Sequence, residues 1–339
     1  MKSRFFITFA IVIAAATSCF AQTTSLTEDQ RFKLAADYSR EHRGLSVLVM
    51  KGDKIVFEDY QNGHHADEPW MLASGTKSFS GVMCAAAIED KLIKNFDEKV
   101  ADTITEWKAD PKKSQITIRQ LLSLSSGMDG GQIGRVPTYA DAISRTLEAD
   151  PGSRFEYGPV PFQIFGELMT RKLKTKNDDV MSYLKRRILD PIGLKVGSWR
   201  MENGQLLLPQ GASLTAREWV KFGLFLKNGG KWNGKQIVKK SLLDELVIGS
   251  RANPAYGITF WLNKKGLNPR SQPLGGGAID DISRNGIADG LPDLYMAAGA
   301  ANQRLYIMPS RDMVVVRQGR LDKWEDIEFM RRLIVGTTN

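Results

Sequence analysis

The sequence predicts an α+β sandwich: a mainly antiparallel sheet flanked by helices, with an all-helical domain inserted beside it. Three observations carry this. Short β-rich runs bounded by turn residues occur near the start of the chain and again near its end. Between about 100 and 250 the apolar residues recur with helical spacing. The 339 residues, 42% hydrophobic and 25% charged, have the balance of an ordinary globular chain with a sizeable core. Strand runs at both ends most simply share one sheet with the helical block inserted between them.

The elements follow in order. Lys2 and Arg4 precede the apolar run FFITFAIVIAAA and a small-residue exit ending at Ala21, the pattern of a secretory signal. The run is short for a membrane span. The alternative is a weak lipobox, ATSC, with a lipid anchor on Cys19 and Ala16 where a large aliphatic residue is usual. TEDQRFKLAADYSREHRG reads as a helix, with Thr27 as N-cap and Gln30 completing a capping box. LSVLVMKGDKIVFEDY is a hairpin about Gly52 and Asp53. GVMCAAAIEDKLI, TIRQLLSLS, YADAISRTLEA, FQIFGELMTRKL, DDVMSYLKRRIL and AREWVKFGLFLKNG are helical. YGITFWLN, DLYMAAGA, QRLYIMP and DMVVVRQG are strand-like, and WEDIEFMRRLIV closes the chain as a helix. The division expected is a leader over 1–21, a discontinuous sheet domain over 22–70 and 252–339, and a helical domain over 71–251, with a cleft between the last two.

The formal charge is +9, and removal of residues 1–21 lowers it by two. The basic residues are spread along the chain without a nucleic-acid motif, so a soluble surface with some excess lysine is the simplest reading. Cys84 alone remains after cleavage, which excludes an intramolecular disulfide; its apolar helical setting suits a core thiol. The stretch HHADE at 64–68 has metal-ligand residue types but reads as a solvated loop, and no metal is assigned.

Serine chemistry is the candidate activity. The three histidines, His42, His64 and His65, all fall in one early stretch, and there is no G-x-S-x-G elbow. A lysine base remains. Ser-x-x-Lys occurs at Ser74–Lys77 and at Ser182–Lys185, and one match is expected about once by chance in a chain this long. In a helix, residues i and i+3 share a face, so either lysine can reach its serine. A lysine is a useful base only when burial lowers its pKa. ASGTKSFSGVMCAAAI meets that condition: polar at the start, apolar afterwards, with the Ser74 N–H and the helix dipole beside a developing oxyanion. Ser182, mid-helix between NDDVM and KRRI, reads as a solvent-facing serine.

Several segments together resemble the serine β-lactamase and penicillin-binding superfamily, in its class C and esterase-like branch. They are ASGTKSF, ITIRQLLSLSSGM (116–128), PGSRFEYGPVPFQIFGEL (151–168), ILDPIGL, GASLTAREWVKFG, AYGITFWL and NQRLYIMPSRDMVVV, in the family's order over nearly all of the chain after residue 21. The resemblance implies a β-lactamase/transpeptidase-like fold. It makes Ser74 the acyl-forming nucleophile, Lys77 its base and Tyr157 the partner in proton transfer. It places the oxyanion hole at the backbone N–H groups of Ser74 and Ala300, and candidate substrate contacts at Gly299, Asn302 and Arg304. No cofactor is implied.

Two positions depart from the family pattern. Tyr157-Gly158-Pro159 has proline where the second motif usually has asparagine, and Ala297 stands where the third motif has a cation. Both losses remove contacts a β-lactam uses. The expectation is therefore an exported serine hydrolase, periplasmic or secreted, acting on small esters or amides, with no nucleic-acid partner and no membrane span. A β-lactamase or D-amino-acid peptidase is the enzymatic alternative, and a non-catalytic binding protein on the same fold is the alternative of another class.

Overall fold

The computed structural model describes residues 26–264 and 286–338. The leader region, with the expected cleavage site at Ala21 and the lipobox at Cys19, lies outside them. Helix α1 (Glu28–Glu41) starts where its capping box sets it: the Thr27 side chain accepts from the Gln30 N–H, and the Gln30 side chain accepts from the Thr27 N–H. The hairpin follows as β1 (Gly44–Lys51) and β2 (Lys54–Tyr60). After the helical block come β3 (Trp261–Leu262), β4 (Tyr295–Gly299), β5 (Gln303–Met308) and β6 (Met313–Gly319). These form one six-stranded sheet in the order β3-β4-β5-β6-β1-β2, every neighbouring pair antiparallel. The early β1 pairs with the late β6 in mid-sheet, from Gly44 opposite Gly319 to Lys51 opposite Met313.

Alternation along β5 assigns the two faces. Leu305 packs toward Gly223 of the helix Ala216–Lys227, while Tyr306 stacks on Phe329 of the helix Asp326–Ile334, ring centroids 5.7 Å apart. Successive strand residues point to opposite faces, so these two helices cover opposite sides of the sheet. The C-terminal helix packs on α1. Helix α2 (Ser78–Glu89) is buried from Ser78 through Ala87. It is apolar on nearly every face because it is enclosed: Phe79 stacks on Phe222, and Gly81 lies against Ile258 and Leu246. Among the described residues no helix is long and apolar enough to cross a membrane.

Some elements are shorter than the sequence suggests. YADAISRTLEA forms helix only over Tyr139–Ser144; the Thr146 carbonyl instead accepts from the Asp129 N–H at 3.1 Å, and Leu147 bridges to Met128. In AYGITFWL only Trp261–Leu262 is strand, because Ile258 and Thr259 donate to the Leu246 and Leu122 carbonyls. DDVMSYLKRRIL is α-helical over Val180–Leu184 and then widens to a π-turn over Lys185–Leu189.

Candidate active site

Ser74 sits on a 3-10 turn, Ala73–Lys77, that runs directly into α2. The turn is tied to a small sheet beside it: the Leu72 N–H donates to the Ala212 carbonyl (2.9 Å), and the Ala212 N–H donates to Thr76 Oγ1 (3.2 Å). Ala73, just before the serine, has φ +46°. A left-handed alanine costs on the order of 1 kcal/mol, and the anchored turn holds it there.

Lys77 is 4% exposed. Its Nζ lies 2.9 Å from Ser74 Oγ and 3.0 Å from the Pro209 carbonyl oxygen. The rings of Tyr157 and Phe162 enclose it, with centroids at 5.0 and 5.3 Å. Burial pulls its pKa from the ordinary 10.5 down to about 7. At neutral pH a large fraction of Lys77 is therefore the free amine. Such an amine can accept the Ser74 proton while the Pro209 carbonyl holds its orientation.

Tyr157 reaches the same place from another part of the chain. Its ring stacks on Trp261 (centroids 5.8 Å, 29° between planes) and meets Tyr256 edge-on at 6.3 Å. Gly158 makes this position accessible: a Cβ there would lie 1.9 Å from the Gly130 carbonyl oxygen. Burial raises the phenol pKa to about 12, against the opposing pulls of a hydrogen bond with Ser74 and the positive charge of Arg304. Tyr157 is thus the neutral phenol across the working pH range, suited to pass a proton on rather than to start as a base.

Gly299 ends β4 against the Ser74 turn; a Cβ there would lie 2.0 Å from the Leu72 carbonyl oxygen and 3.0 Å from Gly75 N. That close approach brings the adjoining Ala300, which is exposed, to the same edge. Ala297 is buried on β4 opposite Leu305. Pro159 is buried at the start of the helix Val160–Lys174, where it offers no side-chain donor.

Two of the candidate substrate contacts lie elsewhere. Arg304 is 1% exposed and bound to Asp326, with Nε to Oδ1 at 2.8 Å and Nη2 to Oδ2 at 3.1 Å. It faces the C-terminal helix because it shares the β5 face of Tyr306, so its guanidinium is not presented to a substrate. Asn302 turns its amide to the Asp322 carbonyl at 3.0 Å. Ser182 and Lys185 do not form a second pair. Ser182 lies exposed in the first turn of a helix, not at its middle, and gives its hydroxyl to the capping Asp179 at 2.6 Å. Lys185 faces Asp190 at 3.7 Å.

His64 departs from the expected solvated loop: it is buried, its Nδ1 lies 2.9 Å from Glu68, and its ring meets Trp70 edge-on. Asp129, Glu148 and Glu156 bring ligand-type oxygens within 4.8 Å of one another. Arg145 pairs with Asp129 and Arg154 with both glutamates, so each carboxylate already has a cation beside it. Cys84 is buried, and burial raises its thiol pKa, which makes it inert.

The Pro209 carbonyl, Trp261 and Asp326 carry no sequence signal for their places around the site. Each is brought there by a tertiary contact.

Solved structures share this architecture. A family VIII carboxylesterase superposes with a TM-score of 0.66 at 16% identity, over 92% of this chain and 97% of that one. A penicillin-binding protein homolog from Caulobacter crescentus gives 0.65 at 14% identity, over 90% and 96%. EstCE1, a hydrolase with promiscuous acyltransferase activity, gives 0.64 at 14% identity, over 90% and 98%. At these identities the likeness is one of fold. No curated protein matches the chain by sequence. The family model for beta-lactamase matches residues 29–334, nearly the whole chain, and the chain belongs to the Beta-lactamase family.

Proposed function

We propose that the protein is an exported serine hydrolase that forms an acyl-enzyme on Ser74 and acts on small esters or amides. The observation that carries the reading is the Ser74–Lys77 pair: a hydroxyl 2.9 Å from a buried amine whose pKa is about 7. Lys77 takes the Ser74 proton as Oγ attacks the acyl carbon. Tyr157 relays a proton to the leaving group as the tetrahedral intermediate collapses. Water then attacks the acyl-enzyme, giving up its proton to Lys77, which returns it to Ser74 Oγ as the acyl–Oγ bond breaks and the acid leaves. The N–H groups of Ser74 and Ala300 would hold the oxyanion.

The substrate class follows from two positions, Ala297 and Pro159. Ala297 offers no cation for a substrate carboxylate and Pro159 no amide for an acyl side chain, so a short uncharged ester suits the site better than a β-lactam. The carboxylesterase among the structural neighbours is consistent with this. Export rests on the leader pattern, which predicts a mature chain beginning at Gln22.

The test is a fluorophosphonate probe followed by peptide mass mapping. Covalent mass on the peptide containing Ser74, lost with turnover in Ser74→Ala, is the expected result. Undiminished turnover in Ser74→Ala, or labelling at Ser182, would overturn the reading. N-terminal sequencing of exported protein checks Gln22 against a lipidated Cys19.

A further inference from the structure

The peptide joining Gly299 to Ala300 is held from behind. The Gly299 carbonyl accepts from Arg304 Nη1 at 3.2 Å. A trans peptide is planar, with its C=O and N–H pointing in opposite directions. Fixing that carbonyl on the β5 side therefore aims the Ala300 N–H the other way. On that other side, among the described residues, β3 pairs with Tyr295 and Met296 of β4 alone, and the Ala73–Lys77 turn packs beyond it.

Arg304 is itself immobilised. Asp326 takes Nε and Nη2, leaving Nη1 for the Gly299 carbonyl and, at 3.0 Å, the Gln303 carbonyl. Asp326 also accepts from the Tyr306 hydroxyl and from Trp324 Nε1, the latter at 3.2 Å. The guanidinium is planar, so fixing two of its corners fixes the third.

The following turn is treated alike. Ala301 and Asn302 are both left-handed, at φ +57° and +63°. Gln303 Nε2 donates to the Ala300 and Ala301 carbonyls at 3.3 and 3.0 Å, and Arg317 Nη1 donates to the Asn302 carbonyl at 2.9 Å. From residue 299 to 302, each carbonyl is thus held by a side-chain donor.

We propose that Arg304, braced by Asp326, is a positioning residue for the oxyanion site: it fixes and polarises the Gly299–Ala300 peptide so that the Ala300 N–H is preorganised toward the tetrahedral intermediate, and it does not bind a substrate carboxylate. A cation on a peptide carbonyl strengthens the same peptide as a donor. A preorganised donor acts mainly on the transition state. The proposal rests on Ser74 being the nucleophile.

The test uses Arg304→Lys and the double variant Arg304→Met/Asp326→Asn, which removes both charges of the buried pair together if the single variant fails to fold. Active sites are titrated with a fluorophosphonate. Then kcat and KM are measured for p-nitrophenyl butyrate and for an ester carrying a free carboxylate, along with Ki for phenylboronic acid, which forms a tetrahedral adduct. The expected result per titrated site is a loss of about tenfold in kcat for both esters, a parallel weakening of boronate binding, and KM changed by less than about threefold. Unchanged kcat and Ki per titrated site would make Arg304 merely structural and overturn the proposal. A loss confined to the anionic ester, seen in KM, would make it a carboxylate-binding residue and overturn it too. Absence of Ser74 labelling in the unaltered protein would remove the nucleophile, and with it both this proposal and the functional reading.

Discussion

Lys77 Nζ stands between two oxygens, Ser74 Oγ at 2.9 Å and the Pro209 carbonyl at 3.0 Å, in a setting where burial alone brings its pKa to about 7. The Ser74 hydroxyl therefore has a proton acceptor near neutral pH, without a histidine.

The first prediction is a pH profile. If neutral Lys77 is the base, kcat/KM for an aryl ester rises tenfold per pH unit below about 7 and levels above it. Tyr157, with a pKa of about 12, stays protonated throughout, so no falling limb appears below about pH 10. Rates measured over this range check it; a flat profile would remove Lys77 from the role.

The same burial makes Lys77 a stability liability. Its folded pKa lies below the unfolded value, so between about 7 and 10.5 the unfolded chain binds more protons than the folded one. Stability from this group thus rises with pH across that window and is lowest at and below its lower end. Lys77→Met should be inactive, and more stable than the unaltered protein near neutral pH by up to a few kcal/mol, less its two lost hydrogen bonds. Its stability advantage should shrink toward pH 10. Denaturant melts of both proteins near pH 6.5 and 9.5 compare the two; a constant gap would contradict the linkage.

Tyr157 and Lys77 should act as a unit. Tyr157→Phe and Lys77→Ala are each expected to lower turnover by about a hundredfold or more, and the double variant to be little worse than either. Additive losses in that cycle would mean that the two serve separate steps.

Gly299→Ala tests the contact between strand and turn. A Cβ 2.0 Å from the Leu72 carbonyl oxygen has no flexible neighbour to displace, because the obstacle is backbone. The strand end must move off the Ser74 turn, carrying Ala300 with it. Loss of one oxyanion donor costs about a hundredfold in kcat, with less effect on KM. Wild-type kcat in a folded Gly299→Ala protein would show that β4 does not serve the oxyanion.

Substrate preference rests on Ala297 and Pro159. A charge-assisted bond contributes roughly 1.5–3 kcal/mol, and a β-lactam loses that contact together with the amide one. The expected kcat/KM for a short-chain aryl ester exceeds that for penicillins and cephalosporins by at least about a hundredfold. Arg304 is committed to Asp326, so it does not restore the missing charge. Better turnover of penicillins would refute the inference from Ala297.

Much of this architecture is legible in the sequence, because local chemistry determines it. The Thr27–Gln30 capping box starts α1, β-rich runs on either side of Gly52-Asp53 mark the hairpin, and i, i+3 spacing brings Lys77 to Ser74. Each depends on residues a few positions apart, the hairpin on the Gly52-Asp53 turn between its two strands. Tertiary structure decided what depends on distant partners. It buries Lys77 and so sets its pKa, brings Tyr157 and the Pro209 carbonyl to one amine, and ends the Tyr139 helix early on Asp129. Arg304 shows the difference most plainly: by spacing it belongs beside the site, yet strand alternation turns it to the far face, where Asp326, distant in the chain, holds it behind the peptide that it would otherwise have flanked.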